Sequence, residues 1–167
     1  DEKTGYLPEL VIKSGKTISA PADLPPEFYS RRAGVFVTIY KGPELRGCIG
    51  TYLPTRANLA EEIIANAVSA CSADFRFDEI REDELSELSY EVSILSEPRQ
   101  VADKSKLNPP KDGIIIRCRD GRRGLLLPDL AGVESVEQQI AIACQKGGID
   151  PAVDDFELYS FTAEKHK

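Results

Sequence analysis

Six consecutive residues, Val35 to Tyr40 (Val-Phe-Val-Thr-Ile-Tyr), are all β-branched or aromatic, the composition of a strand. Lys41-Gly42-Pro43-Glu44 supplies a turn, and Leu45 to Tyr52 reads as the returning arm of a β-hairpin that Pro54 and Thr55 end. Leu59, Ile63, Ile64, Ala67, Val68 and Cys71 then recur at the spacing of one apolar helix face. Thr55 or Asn58 caps that helix, and Asn58 with Glu61 resembles a capping box. Cys71 falls on the buried stripe, where a free cysteine behaves as a small core hydrophobe. Asp74-Phe75-Arg76-Phe77 follows at once, with both phenylalanines expected to anchor the loop in the core. The acidic stretch from Arg81 to Leu88 predicts a short exposed helix.

Ser89 to Ser96 alternates polar and apolar residues as a half-buried strand does, and Pro98 stops it. Residues 99–111 read as a polar linker. Two apolar runs, Gly113 to Arg117 and Gly124 to Leu127, flank Asp120-Gly121, a preferred hairpin turn pair. Ser135 to Lys146 predicts a second helix, capped by Ser135 and Gln138, with Val136, Ile140, Ala143 and Cys144 facing inward. Phe156 to Thr162 makes a last strand. Residues 1–33, rich in proline, glycine and charge, show no long helix. The element order is mostly antiparallel in its neighbours and lacks regular βαβ alternation, so the fold class is α+β with helices packed on a mostly antiparallel sheet.

The chemistry concentrates at Leu45-Arg46-Gly47-Cys48-Ile49-Gly50. Period-two alternation puts Arg46 and Cys48 on one face of the strand, and a guanidinium beside a thiol favours the thiolate. Gly47 and Gly50 leave space for a ligand or another backbone to come close. The hexapeptide reads either as a reactive or binding site, or as a close-packed strand with Arg46 in a structural ion pair. Asp74 and Arg76 lie on a loop at a helix end, a frequent place for functional side chains. If they approach Arg46 and Cys48, the four form a polar cluster suited to an anionic ligand. Arg117, Arg119, Arg122 and Arg123 crowd one hairpin tip, as solubilising charge or as a phosphate contact. The acidic run from Asp78 to Glu87 reads as a solvated face.

Composition narrows these readings. The 167 residues suit one domain, or two small subdomains sharing a core, and the net charge of −7 disfavours nucleic acid as the main partner. Cysteines 48, 71, 118 and 144 are widely spaced with no histidine near them, so no metal site is expected. No apolar run approaches a membrane span and no leader is evident, so a reducing cytoplasm with free thiols is the expectation. The only histidine is His166, next to the last residue, so a Cys-His mechanism would have to use that tail.

The Leu-Arg-Gly-Cys-Ile-Gly stretch resembles the hallmark motif of the AMMECR family. Gly34 to Thr38, Ala70 to Phe77, Leu88 to Pro98, Leu125 to Pro128 and Cys144 to Gly148 resemble further landmarks of that family in the same order. The match runs over about residues 34–163. Phe75 stands where the family usually has proline, Val136 replaces a frequent aromatic, and residues 1–20 do not show the family's long N-terminal helix. The resemblance implies an α+β fold with a mixed sheet, two unequal subdomains and a motif-lined cleft. We read residues 1–167 as one AMMECR-type domain, with a smaller subdomain drawn from parts of 45–100.

Microbial members of this family resemble component A of the AmmeMemoRadiSam system. The implied partners are therefore a Memo-like protein and a radical SAM enzyme. The leading expectation is a cytoplasmic component of a modification system, without cofactor. It would bind a small anionic substrate or a partner protein through Arg46, Gly47, Gly50, Asp74 and Arg76, with Cys48 as an acceptor or contact thiol. The alternatives are an autonomous enzyme using Cys48 as its catalytic residue, and an RNA- or DNA-binding regulatory module using the basic hairpin.

Overall fold

A computed structural model describes residues 2–167, and side chains from Leu7 onward. In chain order the elements are α1 (Glu2–Ser14), α2 (Glu27–Ser30), β1 (Val35–Lys41), β2 (Glu44–Thr51) and α3 (Leu59–Ser72). A 3-10 helix (Glu82–Glu87), β3 (Leu88–Leu95), β4 (Arg99–Gln100) and a second 3-10 turn (Lys104–Lys106) follow. β5 (Gly113–Cys118), β6 (Arg123–Leu126), α4 (Val136–Gly147), β7 (Phe156–Phe161) and β8 (Ala163–His166) complete the chain. The chain forms two compact units, Asp1–Leu95 with Glu164–Lys167, and Ser96–Ala163. The smaller unit is thus residues 96–163, not parts of 45–100 as the sequence suggested.

The α+β class stands, with the strands divided between two four-stranded sheets. The first sheet has the order β2-β1-β3-β8, and β1 runs antiparallel to both β2 and β3. Val35, Val37 and Ile39 of β1 are fully buried in one core with Leu59, Ala60, Ile63, Ile64, Ala67 and Ala70 of α3. Asn58 caps α3 by accepting the Glu61 N–H at 3.0 Å, as its position predicted. Cys71 is only half-buried against that core.

The N-terminal helix corrects the reading of residues 1–20. Pro8 lies inside α1, where a proline costs about 3 kcal/mol. Leu7, Val11 and Ile12, however, are buried in the first core, and each such side chain contributes about 2 kcal/mol on burial. Tertiary packing therefore outweighs a local sequence that argues against a helix.

The second unit has the sheet order β4-β7-β5-β6, with β7 antiparallel to both β4 and β5 and β5 antiparallel to β6. The β5–β6 hairpin forms as expected, but its tight turn is centred on Arg119 and Asp120, one residue earlier than the Asp120-Gly121 pair: the Gly121 N–H closes it on the Cys118 carbonyl, and Gly121 follows at φ 91°. Ser135 and Gln138 form the expected capping box on α4. Along that helix Ala143 and Cys144 are buried, Ile140 is half-buried, and Gln139 is buried as well. Residues 99–111, read as a linker, contain the short β4 and the second 3-10 turn.

One buried carboxylate fixes the chain leaving β2. Glu62, only 1% exposed, accepts from Thr51 Oγ1 (2.6 Å) and Thr55 Oγ1 (2.9 Å) through Oε1. Its Oε2 accepts the N–H groups of Thr55 and Arg56, both at 2.7 Å. Burial alone would raise its pKa; the hydrogen bonds from Thr51, Arg56 and Thr55 more than offset this and hold it below the ordinary value. Residues 51–56 are thereby tied to the first turns of α3. Glu62→Ala removes the acceptor of two hydroxyls and two amides, and is expected to lower stability by about 3 kcal/mol in urea denaturation. A loss of about 0.5 kcal/mol, typical of surface substitutions, would contradict this role.

Candidate functional site

The motif sits on β2, at the edge of the first sheet. Ile39 pairs with Gly47 and Tyr40 with Leu45, so Arg46 is the extra residue of a β-bulge. Gly47 lies on the α3 side: a Cβ there would come within 2.3 Å of the Ala70 carbonyl oxygen. A Cβ on Gly50 would meet the Phe36 ring at 2.3 Å and the Val35 oxygen at 2.5 Å. Both glycines therefore admit neighbouring parts of the protein itself, and neither holds space open for a ligand.

The bulge interrupts the alternation that would have put Arg46 beside Cys48. Arg46 grips Glu84 with Nε and Nη2, at 3.0 and 2.9 Å. It also donates to the carbonyls of Asp78 (2.8 Å) and Glu79 (3.3 Å). The Arg46 bonds, with an N–H from Arg81, hold the Glu84 carboxyl down at about 2. Arg46 is thus in a structural ion pair, and the acidic run is more than a solvated face: the Glu84 side chain is 14% exposed. No local signal singles Glu84 out among its acidic neighbours.

Asp74, Arg76 and Cys48 do come together, through the main chain of Cys48. Asp74 Oδ2 accepts the Cys48 N–H at 2.8 Å, and Arg76 Nη2 donates to the Cys48 carbonyl at 3.1 Å. Arg76 also pairs with Asp74 through Nε (2.9 Å) and Nη2 (2.7 Å). The two side chains occupy the outer edge of β2 where a further strand would bond. The Asp74 carboxylate, 5% exposed, is lowered to about 2, chiefly by the hydrogen bonds from Arg76 and then by the Cys48 N–H.

The Cys48 side chain is half-exposed on the sheet face opposite α3, where its Sγ and Thr38 Oγ1 share a hydrogen bond at 3.3 Å. Thr38 is in register with Glu91 of β3, so thiol, hydroxyl and carboxylate occupy one row across three strands. Arg76 is a cation within electrostatic reach of the Cys48 thiol. His166 lies on β8, the opposite edge of the sheet, and three strand spacings separate it from β2 by about 14 Å. A histidine base for Cys48 is therefore excluded.

Phe75 departs most from expectation. It is 94% exposed, not anchored in the core, because its two neighbours are both tied to Cys48. Phe77 stays half-buried, with the Arg76 guanidinium 5.5 Å from its ring centroid. In the other unit, Arg117 is paired with Glu157, and Arg122 with Asp120 and Asp154. Arg117 and Arg122 are thus spent on ion pairs within that unit. Among the described residues, no group of three His, Cys, Asp or Glu side chains is placed to hold a metal ion, and no helix is long and apolar enough to cross a membrane.

The Asp74 shift has a sign that can be tested. Its folded pKa lies below its ordinary value of 3.8, so its stabilisation is fully present above pH 4 and is lost as pH falls toward 2. Acid titration of stability should show this loss in the native chain. Asp74→Asn should flatten the slope in that window, and an unchanged slope would contradict the ionised clamp.

The sequence profile of the AMMECR1 family matches residues 7–166. A protein of Thermotoga maritima is 49% identical over 160 residues, covering 95% of this chain and 91% of its own length. A protein of Clostridium acetobutylicum is 43% identical over 141 residues, which make up 84% of this chain but 30% of that protein. The crystal structure of an uncharacterised protein from Pyrococcus horikoshii has a TM-score of 0.89 at 32% identity, covering 98% of this chain and 89% of that one. The ordered landmarks around Leu45 to Gly50 therefore have their explanation in descent: the chain belongs to the AMMECR1 family.

Proposed function

We propose that this chain is a protein-binding component of a modification system, docking on its partner through the outer edge of β2 and the 74–77 turn. The observation that carries this reading is Phe75, a phenylalanine 94% exposed between two residues pinned to the Cys48 main chain. An exposed aromatic on a turn whose flanking residues are bonded in place suits an interface anchor, because little backbone entropy remains to be lost on binding. The guanidinium of Arg76, half-exposed, and the Cys48 thiol flank it as polar contacts.

A partner protein fits better than a small anion. Arg46 is committed to Glu84 and two carbonyls, and Arg76 to Asp74 and Cys48, so neither guanidinium is held open for an incoming charge. The Clostridium acetobutylicum relative, of which the matched region is 30%, supports the idea of a component that works beside further chain. The partner implied by the family resemblance is a Memo-like protein in a cytoplasmic assembly that also employs a radical SAM enzyme.

Phe75→Ala should weaken binding to the Memo-like protein by roughly thirtyfold, about 2 kcal/mol, with the melting temperature unchanged. Titration calorimetry reads this directly. Wild-type affinity in Phe75→Ala would remove the 74–77 turn from the interface. Alkylation of Cys48 by iodoacetamide should be slowed when the partner is bound, and an unaltered rate would place the thiol outside the contact.

A further inference from the structure

Between α1 and α2, residues 17–21 form no helix, strand or turn and belong to neither sheet. Along Thr17-Ile18-Ser19-Ala20, exposure alternates: Thr17 and Ser19 face solvent, while Ile18 and Ala20 pack against the first core. That period of two is the period of a β-strand. Among the described residues, none makes a hydrogen bond to the main chain of these four. Main-chain donors and acceptors left without internal partners are solvated or available to another chain.

This segment forms part of the wall of a groove of about 540 Å³. Glu61, Ile64, Ala65, Val68 and Ser69 of α3 line it as well, and so does Arg56. The main chain of Arg56 is used, its N–H by Glu62 and its carbonyl by Arg32. Its guanidinium has no partner among the described residues, unlike those of Arg46, Arg76 and Arg122. Glu61 is partly occupied in the helix cap, accepting from Asn58 Nδ2 and the Ala57 N–H. The groove shares no lining residue with Leu45 to Gly50.

The geometry points to this groove as a binding site for an extended peptide that carries a carboxylate. The peptide adds as a strand to the main chain of Thr17 to Ala20. Its inward side chains rest on Ile64, Ala65 and Val68, and its carboxylate pairs with Arg56. Strand addition beside a helix is an established way to recognise peptides: the main chain supplies affinity and alternate side chains supply selectivity. A guanidinium suits a carboxylate because it can bond both oxygens at once. The volume lies within the range of about 300–1,000 Å³ usual for ligand sites, enough for a few residues and too small for a folded domain. Pro21 has no N–H to continue the pairing, so the open edge is short. A short edge takes one peptide and resists unlimited sheet growth.

The test uses a phage library of random heptapeptides displayed with free C-termini, selected on the whole chain. Enriched sequences should alternate apolar residues and present a carboxylate. A selected peptide should slow amide exchange at Thr17 to Ala20, and Arg56→Ala should weaken its binding by about tenfold or more. Ala65→Trp, which fills the groove, should abolish binding. Ser19→Pro, which removes one N–H from the row, provides a second variant should the tryptophan disturb folding, and it should also lose the peptide. The inference is overturned if nothing is enriched, if both groove variants bind as wild type, if Arg56→Ala does, or if the slowed amides lie elsewhere. Concentration-dependent self-association that protects the same four amides without added peptide would also overturn it, since the occupant would then be a second copy of this chain.

Discussion

The Asp74 carboxylate is the constraint on which the motif's architecture rests. It is 5% exposed and accepts from the Cys48 N–H, from the Arg76 N–H and from two nitrogens of the Arg76 guanidinium. A buried carboxylate is costly unless its lone pairs are filled, and here they are filled by the two things the site must hold together. One is the outer edge of β2, whose amides would otherwise be open to pairing. The other is the turn that follows α3. Removing the carboxylate would free both at once.

The remaining features of the motif serve the same fit. Gly47 lets β2 approach the Ala70 carbonyl at the C-terminal end of α3, which brings the 74–77 turn within reach of Cys48. The bulge at Arg46 directs that side chain to Glu84 and the carbonyls of Asp78 and Glu79, tying the next stretch of chain to the same strand. Glu62 holds residues 51–56, where the strand leaves the sheet. The hexapeptide is thus fixed along its length by side chains from outside it; it presents Leu45 and the Cys48 thiol outward, beside Phe75 and Arg76 of the 74–77 turn.

Much of this is legible in the sequence, and the parts that are not share a cause. The β1–β2 hairpin, the apolar stripe of α3, the β5–β6 hairpin and both helix caps are local patterns, set by residues within a few positions of one another. Asp74 and Arg76 are recognisable as Cys48's companions because a loop directly after an amphipathic helix returns to the sheet that the helix covers. What escapes is non-local. The α1 helix depends on burial of Leu7, Val11 and Ile12 that outweighs Pro8. The bulge at Arg46 depends on strand pairing and shifts a face assignment that period-two counting had made. Phe75 looks like core by composition and is exposed because its neighbours are bonded elsewhere. Glu62 and Glu84 are single carboxylates among many acidic residues, distinguished only by the partners the fold brings to them.

The central claim is that the Cys48 amide, on the open side of an edge strand, is closed by Asp74. Gly50, two residues along, points its amide to the same side by strand alternation. Amide hydrogen exchange therefore gives the most direct test. The account predicts that the Cys48 amide exchanges far more slowly than that of Gly50, and that Asp74→Ala brings the two rates together. A Cys48 amide that exchanges as fast as Gly50 in the native chain would contradict it.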